Sequence, residues 1–597
     1  MRTIPIRPSW QSLGMALLVP VLAFILACGP GQEPTPVPPP VPTATAVPTA
    51  TPTAALAATP TPTRPGPIAT PTPTSVAVAT PTPTPGVQPK KGGTLNLVAG
   101  NFTPNFDPQL LAVTPDYYAS NGKLYNNLMV NYSGSATECE ICSEAGWTLE
   151  NNGKSMVFNL RPGIKFHSGK ELTSADVAYS LKMITGEIDG IVSPRGGVVK
   201  EYVQSIETPS KYVLRLNLLR PSPFVPKILA MATNAIYQDG TTRVSLQTKD
   251  AGTGPFIVKN IVSGSNWTLV RNPDYFKVGQ PYLDGVEIIY VADEATRNAA
   301  FFTHKTQWGN IGDQQYESRL NQMKAEGKAT SFIEVGGCGP RFVGMNHMKP
   351  PFNDVRMRQA VNLAVDRAAI ANVWASTGIL PAVVSAFMFN ETEEFGTPKE
   401  KVWNIYPGWG TGDKKKQEIE QAKKLVIDAG YPKGIDIDQM TRAPIPVRYA
   451  PELVQQMLKE IGIRTTISIA SATDHATRMS NLDYQIQSYI ICITTRDPDE
   501  AVGQYWITGG SRNWVGYSNP EVDKLYVQMS SELDPVKRKE LFYKIQETVI
   551  LKDVGWVAMM STDQPWFVWK ELQGFTIGMS MHSASGLHRA DRLWINQ

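Results

Sequence analysis

A proline- and threonine-rich segment divides this 597-residue chain and limits what its first part can fold into. Nineteen of the 48 prolines lie between residues 29 and 89, where Glu33 and Arg64 are the only charged residues. The repeated Thr-Pro and Val-Pro steps contain no apolar period that could build a hydrophobic core. We therefore predict that residues 28–89 are a disordered linker and that residues 90–597 form the folded body.

The segment before this linker has the features of a secretion signal. Arg2 and Arg7 precede an apolar stretch from Leu13 to Ala27. Fifteen helical residues span about 22 Å, which is short of the ~30 Å hydrocarbon core of a membrane. A cleaved signal peptide over residues 1–27 is therefore predicted. Its end, Ile-Leu-Ala before Cys28, resembles a bacterial lipobox, in which the cysteine is lipidated; the alternative is a free cysteine after an ordinary signal.

The composition of the body excludes some classes of protein. Residues 90–597 carry a net charge of only +1, since Arg2, Arg7, Arg64 and Glu33 are the charges outside it and the whole chain is at +3. Because no block of Lys or Arg is present, nucleic acid is not expected as a partner. No further segment has 18 consecutive apolar residues without charge, so we expect a body outside the cell that is held by a lipid anchor.

The cysteines and histidines of the body give no metal or catalytic motif. Cys139, Cys142, Cys338 and Cys492 allow three disulfide pairings, and a local Cys139–Cys142 bond is favoured over two free thiols. The six histidines form no HxH, HExxH or HxxxH pair. GxSxG, P-loop and GxGxxG motifs are also absent. We therefore predict no metal, no cofactor and no enzymatic activity.

The pattern of apolar residues predicts a mixed α/β body with at least two lobes. Residues 94–98 are predicted to form a strand, and residues 147–160 a hairpin around a Gly-containing turn. A helix is predicted to begin at Thr173 or Ser174. One continuous helix is predicted over residues 354–372.

Seven segments, in order, resemble those of bacterial extracellular solute-binding proteins of the peptide/nickel-type ABC importers, family 5. They cover the body from end to end: 91–95 (KGGTL), 158–169 (FNLRPGIKFHSG), 173–177 (TSADV), 252–256 (GTGPF), 271–276 (RNPDYF), 351–367 (PFNDVRMRQAVNLAVDR) and 516–523 (GYSNPEVD).

The resemblance implies a periplasmic-binding-protein-like clamp, in which two lobes joined by a hinge close on a ligand. Lobe I is then expected at residues 90–335 with 568–597, and lobe II at 336–567. The implied protein is a monomer that binds a peptide or small molecule and delivers it to an ABC permease.

The resemblance also implies positions for the ligand. Peptide-binding members have an aspartate three residues before an Asp-Pro step, and here that position, before Asp497, is Thr494. An uncharged threonine cannot pair with the α-ammonium of a peptide, and a buried unpaired ammonium costs several kcal/mol. Arg496 is a candidate for binding a carboxylate, phosphate or sulfonate group, or else forms a salt bridge to Asp497, Asp499 or Glu500. Arg448, beside Tyr449, matches a loop that supplies an arginine in relatives.

Aromatic residues and strand-end loops complete the predicted site. Tyr489, Trp514 and Phe102 are candidate aromatic platforms, although each is also a candidate core residue. Asn101, Gly252 and Thr253 are the predicted contacts from lobe I.

Two further functions are compatible with the same sequence. One is a receptor for a non-peptide solute, such as an oligosaccharide, a nickel chelate or an anionic small molecule. The other is a ligand sensor that uses the same clamp.

Overall fold

The computed structural model describes residues 88–100, 105–110, 122–131, 137–194, 196–312, 314–334, 339–376, 382–391, 393–442, 450–491, 493, 495–577 and 589–596. The predicted signal peptide, Cys28, most of the predicted linker, Cys338 and Cys492 lie outside these residues.

Strands occur along the whole described body. They are β1 Thr94–Ala99, β2 Met129–Val130, β3 Glu138–Cys139, β4 Cys142–Glu150, β5 Ser155–Leu160, β6 Val203–Ser210, β7 Val213–Leu218, β8 Phe256–Val262, β9 Asn266–Arg271, β10 Gly285–Tyr290, β11 Trp308–Asn310, β12 Ala329–Glu334, β13 Arg341–Met345, β14 Ala382–Val384, β15 Ile435–Arg442, β16 Ile463–Ala470, β17 Ile486–Ile490, β18 Val557–Ala558, β19 Met560–Thr562, β20 Gln564–Trp569, β21 Leu572–Gln573 and β22 Trp594–Ile595.

Helices are concentrated in the second half of the chain. They are α1 Ser174–Thr185, α2 Val225–Leu229, α3 Glu294–Phe302, α4 Glu317–Ala325, α5 Val355–Ala364, α6 Arg367–Ser376, α7 Lys399–Ile405, α8 Gly412–Asp428, α9 Ala450–Glu460, α10 Ala472–Ser480, α11 Pro498–Tyr505, α12 Pro520–Ser531 and α13 Pro535–Glu547.

Three larger sheets organise the described residues. One has the strand order β1-β10-β9-β8, with β1 and β10 parallel, and a second, antiparallel one has the order β4-β5-β7-β6. The third has the order β16-β15-β17-β13-β18, in which β15 runs parallel to both β16 and β17. Each of the three contributes strand residues to a separate buried hydrophobic cluster.

The chain passes twice between a first group of sheets, which includes the small sheet of β11, β12 and β20, and a second group formed by the five-stranded sheet and the β14-β19 pair. It runs from β12 to β13 on the first pass and from β19 to β20 on the second. β12 and β20 pair antiparallel in a small sheet with β11, while β13 pairs with β17 and β18. The strands β12 and β20, at which the two passes leave and re-enter the first group, therefore lie side by side.

Local signals explain the elements predicted from sequence. The hairpin forms from β4 and β5, and the Cys139–Cys142 disulfide is present, with the two Cα atoms 5.5 Å apart. The helix predicted from Thr173 or Ser174 is α1, and Thr173 is its N-cap in a capping box with Asp176.

The continuous helix predicted over residues 354–372 is wrong. The structure breaks it into α5 and α6 at Val365, whose backbone is extended. The carboxylate of Asp366, just before α6, accepts a hydrogen bond from the backbone N–H of Ala369 in the first turn of that helix. The buried guanidinium of Arg367 donates to the backbone carbonyl of Asn362 at the end of α5 and to that of Gly408. Arg367 therefore satisfies helix-end carbonyls that a continuous helix would pair internally.

Candidate ligand-binding site

Three parallel strands of the five-stranded sheet end at the same edge. β15, β16 and β17 run in one direction, and Arg442 lies opposite Ala470 at the ends of β15 and β16. Ile490 ends β17. Because ligands of open α/β sheets bind outside the carboxyl ends of parallel strands, a ligand site is expected at this edge.

Arg442 is half-buried at this edge. Its guanidinium carbon lies 5.5 Å from the centroid of the Tyr489 ring, within cation–π range. Its Nε atom is buried and has no hydrogen-bond partner among the residues that the structure describes. Those residues also provide no carboxylate within ion-pair distance of it, so its charge is not neutralised by the described part of the chain.

His475 packs beside Arg442 and Tyr489. It lies on α10, is only 1% exposed, and its ring centroid is 4.6 Å from that of Tyr489. Burial, and then the positive charges of Arg442 and Arg478, lower the pKa of His475 to about 4. The imidazole is therefore neutral at pH 7, and its Nε2 atom has no hydrogen-bond partner within the described ranges.

Two aromatic rings extend this arrangement. Tyr489 and Trp514 are half-buried, with ring centroids 6.2 Å apart in an edge-to-face arrangement. Trp514 also contacts Tyr505 edge-to-face at 5.5 Å, which fixes the orientation of its ring. We refer to Arg442, His475, Tyr489 and Trp514 as the Arg442 corner.

Arg496, a predicted anion-binding residue, is engaged within the protein. Its Nη1 atom lies 3.1 Å from Oε1 of Glu393, and its side chain is 8% exposed. The sequence left open a pairing with a nearby acid, and the acid is contributed by a distant part of the chain. The positive charge of Arg496 is therefore opposed by Glu393.

Asp497 is the centre of a buried ionic network. Its carboxylate accepts hydrogen bonds from Lys227 at 2.8 Å and from Arg538, and it also caps the N-terminus of α11. Arg538 reaches Asp499 at 3.1 Å as well. We call Asp497, Asp499, Arg538 and Lys227 the Asp497 cluster. In this cluster two buried carboxylates face two cations.

The two aspartates of this cluster differ in acidity. Burial disfavours both charged forms, but Arg538 and Lys227 outweigh it at Asp497 and hold its pKa well below the ordinary value. At Asp499 burial and the nearby charge of Asp497 outweigh Arg538, and the pKa is raised.

Lys227 belongs to α2, which packs on the antiparallel sheet of the first half of the chain, while Asp497 belongs to the second half. Two further contacts join the same regions. The Tyr202 and Tyr526 hydroxyls are 3.0 Å apart, and Arg220 donates to the Ser530 hydroxyl at 3.1 Å.

Gly252 and Thr253 lie inside the packing of the first half. Thr253 is 1% exposed and its hydroxyl donates to the side chain of Asn126 at 3.0 Å. A Cβ atom on Gly252 would lie 1.9 Å from the backbone oxygen of Leu124. In this structure both residues therefore have close contacts within the protein.

A cavity of about 360 Å³ lies at the carboxyl end of β1. Its lining combines aromatic and polar groups, including Gly100, Arg297, Trp308, Asn310, Gln564 and Trp566. The predicted contacts Asn101 and Phe102 directly follow Gly100 in sequence but lie outside the described residues, as do Arg448, Tyr449 and Thr494.

Within the described residues, no group of three or more His, Cys, Asp or Glu side chains is arranged to hold a metal ion. In the same part of the chain no helix is both long and apolar enough to cross a membrane.

The family follows from the sequence over most of the body. Residues 143–513 match the sequence model described as bacterial extracellular solute-binding proteins, family 5 Middle. The chain belongs to this family. Its members act outside the cytoplasm, which agrees with the expected location of the body.

Known relatives cover nearly the same length. Heme-binding protein A of Haemophilus influenzae is 26% identical over 494 residues, which cover 76% of this chain and 84% of that protein. The dipeptide-binding protein of Escherichia coli is 23% identical over 516 residues, covering 79% of this chain and 90% of that protein. These relatives are binding proteins by name, with different ligands.

A solved structure confirms the fold class. The ABC transporter-associated periplasmic binding protein DppA from Helicobacter pylori, in complex with the peptide STSA, has a TM-score of 0.69 at 20% sequence identity. The match covers 85% of this chain and 99% of that chain. The mixed α/β architecture is thus that of the periplasmic binding proteins.

Sequence reasoning did not single out Arg442 and His475. A usable signal was the alternation of Ile435 and Ile437 with Asp436 and Asp438, which is typical of a strand with one buried face. Once that strand is recognised, Arg442 is its last residue. His475 had no comparable signal, because it reaches Tyr489 only through the packing of α10.

Proposed function

We propose that this chain is the solute-binding receptor of an ABC importer, which takes up a peptide-class or similar polar solute between two lobes and delivers it to a membrane permease. Lobe I would comprise residues 90–335 with 568–597, and lobe II residues 336–567. The observation that carries this proposal is the sheet edge at which β15, β16 and β17 all end, in a chain of the solute-binding family.

Binding and closure would be the whole of the mechanism, with no chemical change in the solute. Opposite faces of the two lobes would approach one another as the segments between β12 and β13 and between β19 and β20 bend. The contacts Lys227–Asp497 and Tyr202–Tyr526 would then hold the closed form, and no cofactor is required.

The test is stimulation of the importer. The chain, purified without refolding, is added to its permease in liposomes, and ATP hydrolysis is measured with and without a solute that raises the melting temperature of the chain. We expect the loaded receptor to increase the rate several-fold. A receptor that binds solute yet stimulates no importer encoded beside it would instead favour a sensor.

Anchoring is proposed at Cys28. Lipidation there would hold the body at the outer face of the membrane through residues 28–89 as a flexible tether, with the body acting as a monomer. Cys28→Ala should release the chain from membranes into the soluble fraction and remove the mass of the lipid. A chain that stays membrane-bound after this substitution would refute the anchor without affecting the proposed role of the body.

A receptor for a non-peptide solute is the second candidate, and one observation favours it. Arg442 presents a positive charge that the described residues do not neutralise, whereas Asp497 is engaged by Lys227 and Arg538. Together with Thr494 at the aspartate position of peptide-binding relatives, this charge distribution favours an acidic group over an ammonium. If unmodified dipeptides stabilise the chain and acidic solutes do not, this candidate is wrong.

A further inference from the structure

The charged groups at the strand ends differ in what they are free to bind. Arg496 is opposed by Glu393, and both Asp497 and Asp499 are within reach of Arg538. Arg478, the other cation near His475, lies 3.6 Å from Asp438. These groups already have partners of opposite charge.

Arg442 is different because its partner is a ring. The Tyr489 face attracts the guanidinium without cancelling its charge, and the buried Nε atom donates to no group in the described residues. A donor that is buried without an acceptor is destabilising, so it is a position at which a bound acceptor gains most.

His475 supplies a second open position beside this charge. It is 1% exposed, and its Nε2 atom also lacks a partner among the described residues. Its neutral ring adds no positive charge at pH 7 and supplies either one donor or one acceptor, depending on its tautomer. The groups that face it are Asp474 and Arg478 of its own helix, Arg442 of β15, and the buried Gln487 and the Tyr489 ring of β17.

The remaining side of the corner is aromatic. Tyr489 and Trp514 are half-buried and meet edge-to-face at 6.2 Å, so part of each aromatic side chain is exposed at the corner. The planar guanidinium of Arg442 suits a carboxylate. With aromatic side chains in the same corner, it suits a solute that carries its acidic group close to a flat apolar group.

We propose that the Arg442 corner selects an organic acid whose carboxylate lies next to an aromatic ring, with the carboxylate on Arg442 and the ring against Tyr489 and Trp514. This inference rests on the proposed receptor function and names the class of solute that the receptor takes. Arg442 is the specificity-determining residue, and His475 positions the guanidinium and the Tyr489 ring.

Three small probes separate the contributions of charge and ring. N-acetyl-L-tryptophan has the acid and the ring, N-acetyl-L-tryptophanamide has the ring without the acid, and N-acetylglycine has the acid without the ring. Calorimetric titration of the full chain should give an affinity for the first that is at least 10-fold higher than for either of the others. Equal affinities for the acid and its amide would overturn the proposal.

Variants assign the effect to the corner. Arg442→Gln should lower the affinity for N-acetyl-L-tryptophan at least 10-fold and leave the affinity for the amide unchanged. Tyr489→Leu should lower the affinity for both. Arg464→Gln is the matched control, because Arg464 is an exposed arginine of the same sheet that pairs with Asp436. An Arg442→Gln variant that binds the acid like the wild type contradicts the assignment, and circular dichroism establishes that each variant is folded.

Two outcomes distinguish this inference from the receptor function. If a dipeptide binds and stimulates the importer while N-acetyl-L-tryptophan does not bind, the solute class is wrong and the receptor function stands. If N-acetyl-L-tryptophan binds in an Arg442-dependent manner but no importer responds, the site is supported and the receptor function fails.

Discussion

The Arg442 corner and the Asp497 cluster both lie at or after the carboxyl ends of neighbouring parallel strands, yet the described residues neutralise the charges of only one of them. In the Asp497 cluster the buried carboxylates are surrounded by Arg538 and Lys227. In the Arg442 corner the guanidinium has no carboxylate partner among the described residues. Both regions keep buried polar atoms without a described partner, Arg442 Nε and His475 Nε2 in the corner and Asp499 Oδ1 and Arg538 Nε in the cluster, so the uncompensated charge is what sets the Arg442 corner apart. The arrangement of the Asp497 cluster is what stabilises a fold, and that of the Arg442 corner is what a ligand completes.

The comparison predicts its largest effect at Arg538. Arg538→Met leaves Asp497 and Asp499 buried without their shared cation, and breaking such a network costs about 3–5 kcal/mol of unfolding free energy. Urea denaturation monitored by tryptophan fluorescence measures this loss.

Arg464→Met is the control for this change. Arg464 and Asp436 form an exposed ion pair, so we expect a loss of unfolding free energy below about 1 kcal/mol. Equal losses for the two variants would remove the distinction between a structural cluster and surface charges.

The second effect is a pH dependence that belongs to His475. Because the folded pKa is about 4 and the ordinary value is about 6.5, the unfolded chain binds the proton first as the pH falls. The contribution of His475 to the free energy of unfolding is therefore fully present above about pH 6.5 and is lost as the pH falls to 4, by about 3 kcal/mol.

His475→Gln isolates this contribution from the carboxylates that titrate in the same range. The free energy of unfolding is measured for both proteins at intervals from pH 7.5 to pH 4.5, and their difference is plotted. A difference that does not change with pH would show that the imidazole is not held neutral by its surroundings.

The sequence anticipated elements whose signals are local. The hairpin of β4 and β5, the capping box at Thr173 and the Cys139–Cys142 bond depend on residues close together in the chain. Such elements can be predicted from sequence because the residues that form them are only a few positions apart.

The sequence could not reveal partners that folding supplies. Where the helix predicted over residues 354–372 is broken, Arg367 donates to the carbonyl of Gly408, and Arg496 pairs with Glu393, which is about a hundred positions earlier. The Arg442 corner gathers residues from β15, α10, β17 and the segment after α11, so no short motif could have marked it.

A smaller effect is expected at the contact between the two halves of the chain. Lys227→Met removes one of the two cations at Asp497 but leaves Arg538, so we expect a loss of about 1 kcal/mol in the closed form, or about fivefold in solute affinity. Calorimetric titration measures the affinity, and Lys211→Met, at an exposed pair with Glu171, is the control. A change in unfolding free energy without a change in affinity would mean that the contact does not assist closure.

The smallest expected effect on stability is at Arg442 itself. Arg442→Gln breaks no ion pair of the described residues, so the unfolding free energy should stay within about 0.5 kcal/mol of the wild type. Urea denaturation without solute measures it. A loss comparable to that of Arg538→Met would place Arg442 among the structural charges.

The central claim is that solute binds at the carboxyl ends of β15, β16 and β17. Hydrogen–deuterium exchange, with and without a solute that raises the melting temperature, tests it most directly. We predict slower exchange in peptides that contain the end of β15, the start of α10, the end of β17 and Trp514, with the hairpin of β8 and β9 unchanged. Slower exchange elsewhere in the chain, with no change in exchange at any of these strand ends, would contradict the account.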